Sequence, residues 1–425
     1  MSFVLNPISG TMLGGFLTKL LAFGMAELAV RLVRLVTVVI TARILVPETV
    51  GTAALALVLF EILRVLMQIG IGQQIIAAPA HRLKAICNSA QTLFWRWALV
   101  VVVVQLLVAL GLAGLFGETE AATMLAVLAL VYLCMPGGLV SCYLLMREGR
   151  AAATARIGAI QTIADHVLGA ALLLLWPSPW AIILPKLLTA PIWLMLTRRA
   201  RPWAPELAAG HVPARTLLPQ SLAILATELL AAVRGQGDKL IVGAMLGVSA
   251  LGTYYFAFNA GVGILSAFTG AFGIILFPTI CGTAGAGARL RTFRRLAALG
   301  FALLLPAVAV MAWLAPYYVP LIFGDSWAHA AGLIAILALA GIPMLAVALV
   351  SAWLRSAGRA QLDAKLAMAS CVLALLLLTI GAATHGLAGA ALGWVGGMTI
   401  VALPALAATL LPRRPKHLVV KRKQP

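Results

Sequence analysis

The side chains able to do charge-based chemistry in this sequence sit where charge is rarest, inside long apolar stretches. Glu27, Arg31 and Arg34 lie in the first stretch, and Glu61, Arg64 and Gln68 in the second. At about 100° per residue, each trio falls within about 60° of helical arc and forms a narrow polar stripe on one helix. A third stripe holds Arg234 and Asp238, four residues apart, with Glu228 and Lys239 on another face. Guanidinium groups bind phosphate oxygens bidentately and stay charged in almost any environment. Arg31, Arg34, Arg64 and Arg234 therefore suit an anionic, phosphate-bearing ligand. Glu27 and Glu61 suit coupling to an ion gradient. Gln161, Asp165 and His166 suit a proton relay, because imidazole titrates near neutral pH, and suit a hydrogen-bonded helix contact at least as well.

A plainer reading stands beside this one. Glu27/Arg31, Glu61/Arg64 and Arg234/Asp238 have the spacing of pairs within a helix that neutralise one another. Asp238, between Arg234 and Lys239, reads as a structural counter-ion. For Arg31, Arg34 and Arg64 the excess of arginine over acid favours a cavity, since a charge at mid-bilayer costs about 2.5–3.5 kcal/mol and needs water or a partner. Lys186 fits either a snorkelling side chain or a cavity cation. Gln68 and Asn259 fit cavity polar groups and interhelical hydrogen bonds equally. Trp95-Arg96-Trp97, Trp176/Trp180 and Tyr317/Tyr318 read as aromatic belts at the membrane interface.

The elements that must position these groups are membrane spans. The 425 residues are 63% hydrophobic and 10% charged, whereas a water-soluble domain carries roughly a quarter charged residues. Apolar runs of about twenty residues, enough for a hydrocarbon core of about 30 Å, recur from Thr11 to Leu411. Cutting at the loops predicts spans near 12–43, 50–77, 85–115, 122–146, 153–175 and 180–198. A second set lies near 217–245, 250–279, 296–317, 328–354, 361–383 and 387–411. The first apolar segment lacks the basic flank and cleavage site of a signal peptide and is expected to remain as a span.

The net charge of +19 is a topology signal, not a nucleic-acid footprint. Basic loops (Arg82/Lys84, Arg147/Arg150, Arg198 to Arg215, Arg289 to Arg295, Arg355/Arg359 and the tail from Arg413) alternate with loops that are acidic or uncharged. That is the positive-inside pattern, which places both termini in the cytoplasm of a multi-pass plasma-membrane protein. Cys87, Cys134, Cys142, Cys281 and Cys371 are scattered without metal-ligand or disulfide spacing. There is no Gly-rich phosphate loop with a lysine, no metal-ligand cluster and no extramembrane pair of acids. Neither an enzyme, nor a cofactor, nor ATP coupling is expected.

Two internal echoes suggest a duplicated half. Ala42-Arg-Ile-Leu-Val-Pro-Glu-Thr-Val-Gly51 joins the first two spans, and Ala244-Met-Leu-Gly-Val-Ser-Ala-Leu-Gly252 joins the seventh and eighth. Arg147-Glu-Gly-Arg-Ala151 follows the fourth span as Ser356-Ala-Gly-Arg-Ala360 follows the tenth. Six spans per half give both copies the same orientation, hence a parallel pseudo-two-fold repeat with substrate between the halves. The expected organisation is a six-helix bundle over 1–200, a basic linker over 201–216, a second bundle over 217–411 and a basic tail over 412–425.

Ala42-Arg-Ile-Leu-Val-Pro-Glu-Thr-Val-Gly-Thr52 with Gln68-Ile-Gly-Ile-Gly-Gln-Gln74 resembles a motif of the polysaccharide flippases in the multidrug/oligosaccharidyl-lipid/polysaccharide exporter (MOP) superfamily. Asp238-Lys-Leu-Ile-Val-Gly243, Leu246-Gly-Val-Ser-Ala-Leu-Gly-Thr-Tyr-Tyr255 and Leu276-Phe-Pro278 are similar to that family's second-half pattern. The resemblance implies an all-α, MATE-like fold of about twelve transmembrane helices in two six-helix bundles. It implies a flippase of the bacterial inner membrane, moving polyprenyl-pyrophosphate-linked oligosaccharide by alternating access for cell-surface polysaccharide synthesis. An H+ or Na+ gradient, membrane lipids and glycan polymerase machinery are the implied partners. The lipid II flippases of the superfamily usually carry two further spans. The alternatives are a cation-coupled multidrug-type exporter, which would want acidic and aromatic cavity walls, and a membrane-bound glycan polymerase or ligase, which would want large outer loops.

Overall fold

In hydrocarbon every backbone N–H and C=O must find its partner within the segment, so apolar runs of this length become helices. The computed structural model describes residues 30–411, and no strand occurs among them. Glu27 and the tail from 412 lie outside the described residues. The helices are α1 (30–44), α2 (Pro47–Val65), α3 (Ile71–Ala77), α4 (Leu83–Phe116), α5 (Thr119–Leu128), α6 (Val131–Cys134), α7 (Pro136–Arg147), α8 (Ala151–Leu175) and α9 (Trp180–Ala200). After the linker come α10 (Ala214–Leu246), α11 (Val248–Ala260), α12 (Val262–Cys281), α13 (Ala286–Phe323), α14 (Ala331–Ala338), α15 (Gly341–Ser356) and α16 (Ala360–Leu410).

Among the described residues seven helices are long and apolar enough to cross a membrane, and nine spans result if each of two bent pairs counts as one. The 51-residue α16 is itself a hairpin. His385 and Gly386 leave helical geometry, Gly386 at φ 60°. A Cβ at Gly381 would fall 2.0 Å from the carbonyl oxygen of Gly389, and one at Gly393 would fall 2.1 Å from that of Leu377. Its two arms thus lie antiparallel in backbone contact. With α1 and the charge-bearing α10, the described chain has the twelve segments that the loop pattern predicts.

Several expected spans are broken within their length. The span expected over 50–77 leaves α-helical geometry at a 3-10 turn, Leu66–Gln68, and resumes as α3. The fourth bends by 54° ahead of Pro136, and the eighth bends by 48° between α11 and α12. Proline and glycine at such points remove or loosen a helical hydrogen bond. The breaks in the fourth and tenth spans are copies of one another. Ala129 and Leu130 donate to Ala126 and Val127, as Leu339 and Ala340 donate to Ile336 and Leu337, tightening the same turn in each half. One expectation falls short at a terminus: the span set near 296–317 runs over Ala286–Phe323. Arg289 to Arg295 therefore ride on helix, because Phe293 is fully buried there and stacks 4.9 Å from Trp353.

Helices α2 to α7 and α9 pack around Phe60, Phe94, Met124 and Tyr132, with Val212 and Leu217 joining from the linker and the start of α10. Gln105 is buried in this core and satisfied on both sides, accepting from Tyr132 Oη at 2.7 Å and donating to the Leu125 carbonyl at 2.6 Å. A second cluster, with Phe256, Phe323 and Trp327, takes in Ala42, Leu45 and Val50 of the first half. The halves therefore share an apolar core at the end of the molecule where α1 turns into α2.

Candidate functional site: a cation-rich cavity between the halves

Below that shared core the halves separate around a cavity of about 560 Å³, within the usual range for small-molecule sites. Helical spacing decides what lines it. Arg34, Thr37 and Thr41 come from α1; Phe60, Glu61 and Arg64 from α2; Gln161, Thr162, Asp165 and His166 from α8; Lys186 and Thr189 from α9. The second half supplies Gly235, Gln236 and Lys239 from α10, and Tyr255, Phe256, Phe258 and Asn259 from α11. They recur at three- and four-residue steps, with adjacent positions beside them on α2, α8, α10 and α11, so that each helix turns one face to the cavity.

The charges are paired across and within the walls. Arg64 donates to Glu61 Oε2 through Nη2 at 2.6 Å and Nε at 3.1 Å. Lys186 Nζ lies 3.3 Å from Asp165 Oδ2, a bridge between α9 and α8. The other oxygen of that carboxylate, Oδ1, is buried and makes no hydrogen bond among the described residues; Gln236 Oε1 is in the same position. Lys239 Nζ sits 3.2 Å from both oxygens of Asp238 and 3.8 Å from the centroid of the Phe258 ring. Tyr254 Oη donates to Asp238 Oδ2 at 3.2 Å. Arg34 differs from the rest, because the partner of its Nη2 is a neutral amide oxygen, Oδ1 of Asn259 across the cavity. Among the described residues, four cationic side chains line the cavity against two carboxylates, Glu61 and Asp165.

Of the residues singled out by sequence, Arg34, Arg64, Glu61, Asp165 and His166 are brought together in this one cavity. Arg31 is not among the lining residues; its Nη1 donates to the Gly263 carbonyl at 2.9 Å and reaches Ser266 Oγ at 3.4 Å, both on α12. Arg234 is exposed and off the cavity face. Positions 235, 236 and 239 line the cavity, which turns position 234 away from their mean direction by about 0.4 of a turn. Gln68 is exposed at the break after α2. The expected Arg234/Asp238 pair does not form, since Asp238 takes Lys239 and Tyr254 instead. Glu27 lies outside the described residues. Sequence reasoning left Lys186 open and gave Lys239 to another face. The usable signal was that an isolated cation in an apolar span must have a partner, here on a neighbouring helix or one residue away.

A family model described as "Polysaccharide biosynthesis protein" matches residues 40–332. The chain belongs to this family. Succinoglycan biosynthesis transport protein ExoT of Rhizobium meliloti (strain 1021) is 26% identical over 318 residues, covering 72% of this chain and 62% of that protein. The matched stretch thus spans less than two thirds of this relative's length. Solved structures that share the fold include two transporters. The lipid II flippase MurJ in an inward closed conformation superposes with a TM-score of 0.73 at 12% identity, over 92% of this chain and 87% of that one. An inward-facing multidrug resistance MATE family transporter of the MOP superfamily gives 0.66 at 16% identity, over 91% and 97%. The family chain is accordingly a multi-pass, all-α membrane protein of the MATE-like type, and the resemblance drawn from its motifs holds.

Proposed function

We propose that the protein is a flippase that carries lipid-linked oligosaccharide, bound through its pyrophosphate, across the inner membrane by alternating access. The observation that supports this reading is the charge of the cavity: among the described residues cations outnumber carboxylates, and both halves contribute them. A pyrophosphate moved out of water needs fixed donors, and guanidinium and ammonium groups in a partly dry cavity serve that need best. Arg34 and Arg64 are the primary ligands, with Lys186 and Lys239 in support. Glu61 and Asp165 hold the empty cavity near neutrality and exchange these cations with the cargo; a proton or Na+ on the released carboxylates couples the cycle to an ion gradient. The bundles 1–200 and 217–411 rock about the linker 201–216, and the polyprenyl tail stays in lipid. Basic loops and termini face the cytoplasm, so the shared apolar core closes the outer end.

The test is flipping of a lipid-linked sugar in vesicles reconstituted with the protein. Arg34→Ala and Arg64→Ala should each slow flipping about tenfold or more, the worth of one charge-assisted contact of about 1.5–3 kcal/mol. Undiminished flipping by folded variants would sink the phosphate site. Efflux of organic cations by the same vesicles would favour a multidrug-type exporter.

A further inference from the structure

Asn259 occupies an unusual station. It is the next-to-last residue of α11, directly ahead of the 48° bend into α12. Its side-chain Nδ2 donates at 2.8 Å to the carbonyl of Tyr255, one turn back on its own helix. That bond fixes which way the amide faces, so Oδ1 points across the cavity at Arg34. One turn earlier on α1, Arg31 donates to Gly263 and Ser266, on the far side of the same bend. Two arginines of one helix therefore hold both sides of a break in a helix of the other half.

The chemistry of the acceptor matters. Arg64, Lys186 and Lys239 each have a carboxylate partner, and an incoming anion must compete with a full negative charge there. At Arg34 the hydrogen-bonded partner among the described residues is a neutral amide. Hydrogen bonds between ionised partners are roughly twice as strong as neutral ones, so a phosphate oxygen displaces an amide oxygen readily and a carboxylate poorly. Resting on the reading of the cavity as a pyrophosphate site, we propose that Asn259 is a placeholder for the cargo's phosphate: cargo takes Arg34 from it, and the loss of this tie frees the α11–α12 bend. Asn259 is thus a positioning residue. It keeps Arg34 aimed into the cavity, and it makes the arrangement of the halves depend on whether the site is filled. A ligand shifts such an equilibrium only through differential affinity for the two states, and the tie to Asn259 supplies that difference.

The proposal predicts effects of opposite sign at one position. With the full-length protein in detergent, calorimetric titration with inorganic pyrophosphate should show about tenfold tighter binding for Asn259→Ala, because competition for Arg34 is removed, and about tenfold weaker binding for Asn259→Asp. A short polyprenyl pyrophosphate run beside it separates head-group from lipid recognition, and the ratios between variants should be the same for both. Hydrogen–deuterium exchange over 259–266 should rise when pyrophosphate binds the wild type. In Asn259→Ala it should already be raised and should not respond. In vesicles the same variant should show a lower KM and a lower kcat, a split that mere loss of structure does not produce. Wild-type or weaker binding by Asn259→Ala overturns the proposal, and this holds whether or not Asn259→Asp is produced. Arg34→Ala separates the two levels. If it binds pyrophosphate as the wild type does, the cavity reading itself fails. If it loses binding while Asn259→Ala is unchanged, only the placeholder fails.

Discussion

Gly51 of α2 and Gly252 of α11 meet backbone to backbone. A Cβ added at Gly252 would fall 2.0 Å from the Pro47 carbonyl oxygen and 2.9 Å from Gly51 Cα, and one added at Gly51 would fall 2.0 Å from the Val248 carbonyl oxygen. Pro47 and Val248 each open their helix, and each glycine follows four residues later. Each half therefore presents to the other the surface that it receives, the signature of a two-fold contact. The sequence echo between 42–51 and 244–252 is this contact written twice. Small residues at such a crossing let two helices approach where no hydrophobic force in lipid would draw them together.

Gly51→Ala or Gly252→Ala is expected to force the helices apart, since backbone cannot yield to a 2.0 Å clash. Overpacking of this kind costs typically about 1–3 kcal/mol, to be read as a lower midpoint in thermal unfolding of the detergent-solubilised protein. Gly158→Ala is the control: a Cβ there meets nothing within 4 Å, and the change should be neutral or slightly stabilising, as is usual for glycine within a helix. Equal midpoints for all three variants would contradict the close crossing.

The bridge between Asp165 and Lys186 gives a second test. Lys186→Met leaves a carboxylate whose Oδ1 already has no hydrogen-bond partner among the described residues, and Asp165→Asn leaves an ammonium facing Arg64 and Arg34 across the same cavity. Each single change should destabilise the protein, and the double change should recover part of the loss. The coupling should be about 0.5–3 kcal/mol, the range for residues in contact. Additive losses in a double-mutant cycle of unfolding would mean that the 3.3 Å approach carries no energy.

The contrast between these two contacts marks what was legible beforehand. Composition and loop charge give the spans, and helical periodicity places Arg34, Arg64, Glu61, Asp165 and His166 on faces that do share one cavity. The Glu61/Arg64 pair is legible because both groups lie on one helix. Lys186 with Asp165 and Arg34 with Asn259 are not, because their proximity is set by how separate helices pack, which spacing along one helix cannot encode. Lys239 is a different failure. Helical geometry puts it about 100° from Asp238, but four methylenes let its ammonium fold back onto that carboxylate. The breaks after Val65 and Ala260 escaped because a bend leaves an apolar run equally apolar; those after Leu128 and Ala338 lie beside Pro136 and Pro343, prolines within predicted spans that read as packing kinks or hinges.

Asp238, Lys239 and Tyr254 form a buried ion pair with a third hydrogen bond. Side-chain exposure is 3% for the acid and 5% for the lysine, so neither charge is solvated once its partner is gone. Asp238→Ala should cost about 3–5 kcal/mol, the usual penalty for stranding a buried charge. Tyr254→Phe removes one hydrogen bond to a charged group and should cost about 1.5–3 kcal/mol. Asp238→Ala with Lys239→Met should be more stable than Asp238→Ala alone. If the double variant is the less stable, the stranded ammonium is not what the single change costs.

The end of α1 next to the glycine crossing is tied to the second half by two side chains in different settings, one buried and one exposed. Trp327, fully buried, donates Nε1–H to the Ala42 carbonyl at 2.8 Å. Arg43 donates Nε to Ile322 at 2.7 Å and Nη2 to Leu321, carbonyls left open at the C-terminus of α13. A cation there satisfies orphan acceptors and complements the helix dipole, worth about 0.3–1 kcal/mol when exposed, as Arg43 is. The buried bond should matter more. Trp327→Phe leaves a carbonyl unsatisfied beside a cavity and should cost about 3–5 kcal/mol with the lost ring, whereas Arg43→Lys keeps the charge, loses the two-pronged geometry and should cost about 1 kcal/mol or less. Both changes act only on the arrangement in which this end is closed, so they should shift the protein toward the opposite opening. Thiol labelling of a cysteine placed at Thr37 reads that shift: reagent added at the Arg43 end should react faster in both variants, and more so in Trp327→Phe. Unchanged labelling in a destabilised Trp327→Phe would show that these bonds support the fold without governing which end opens.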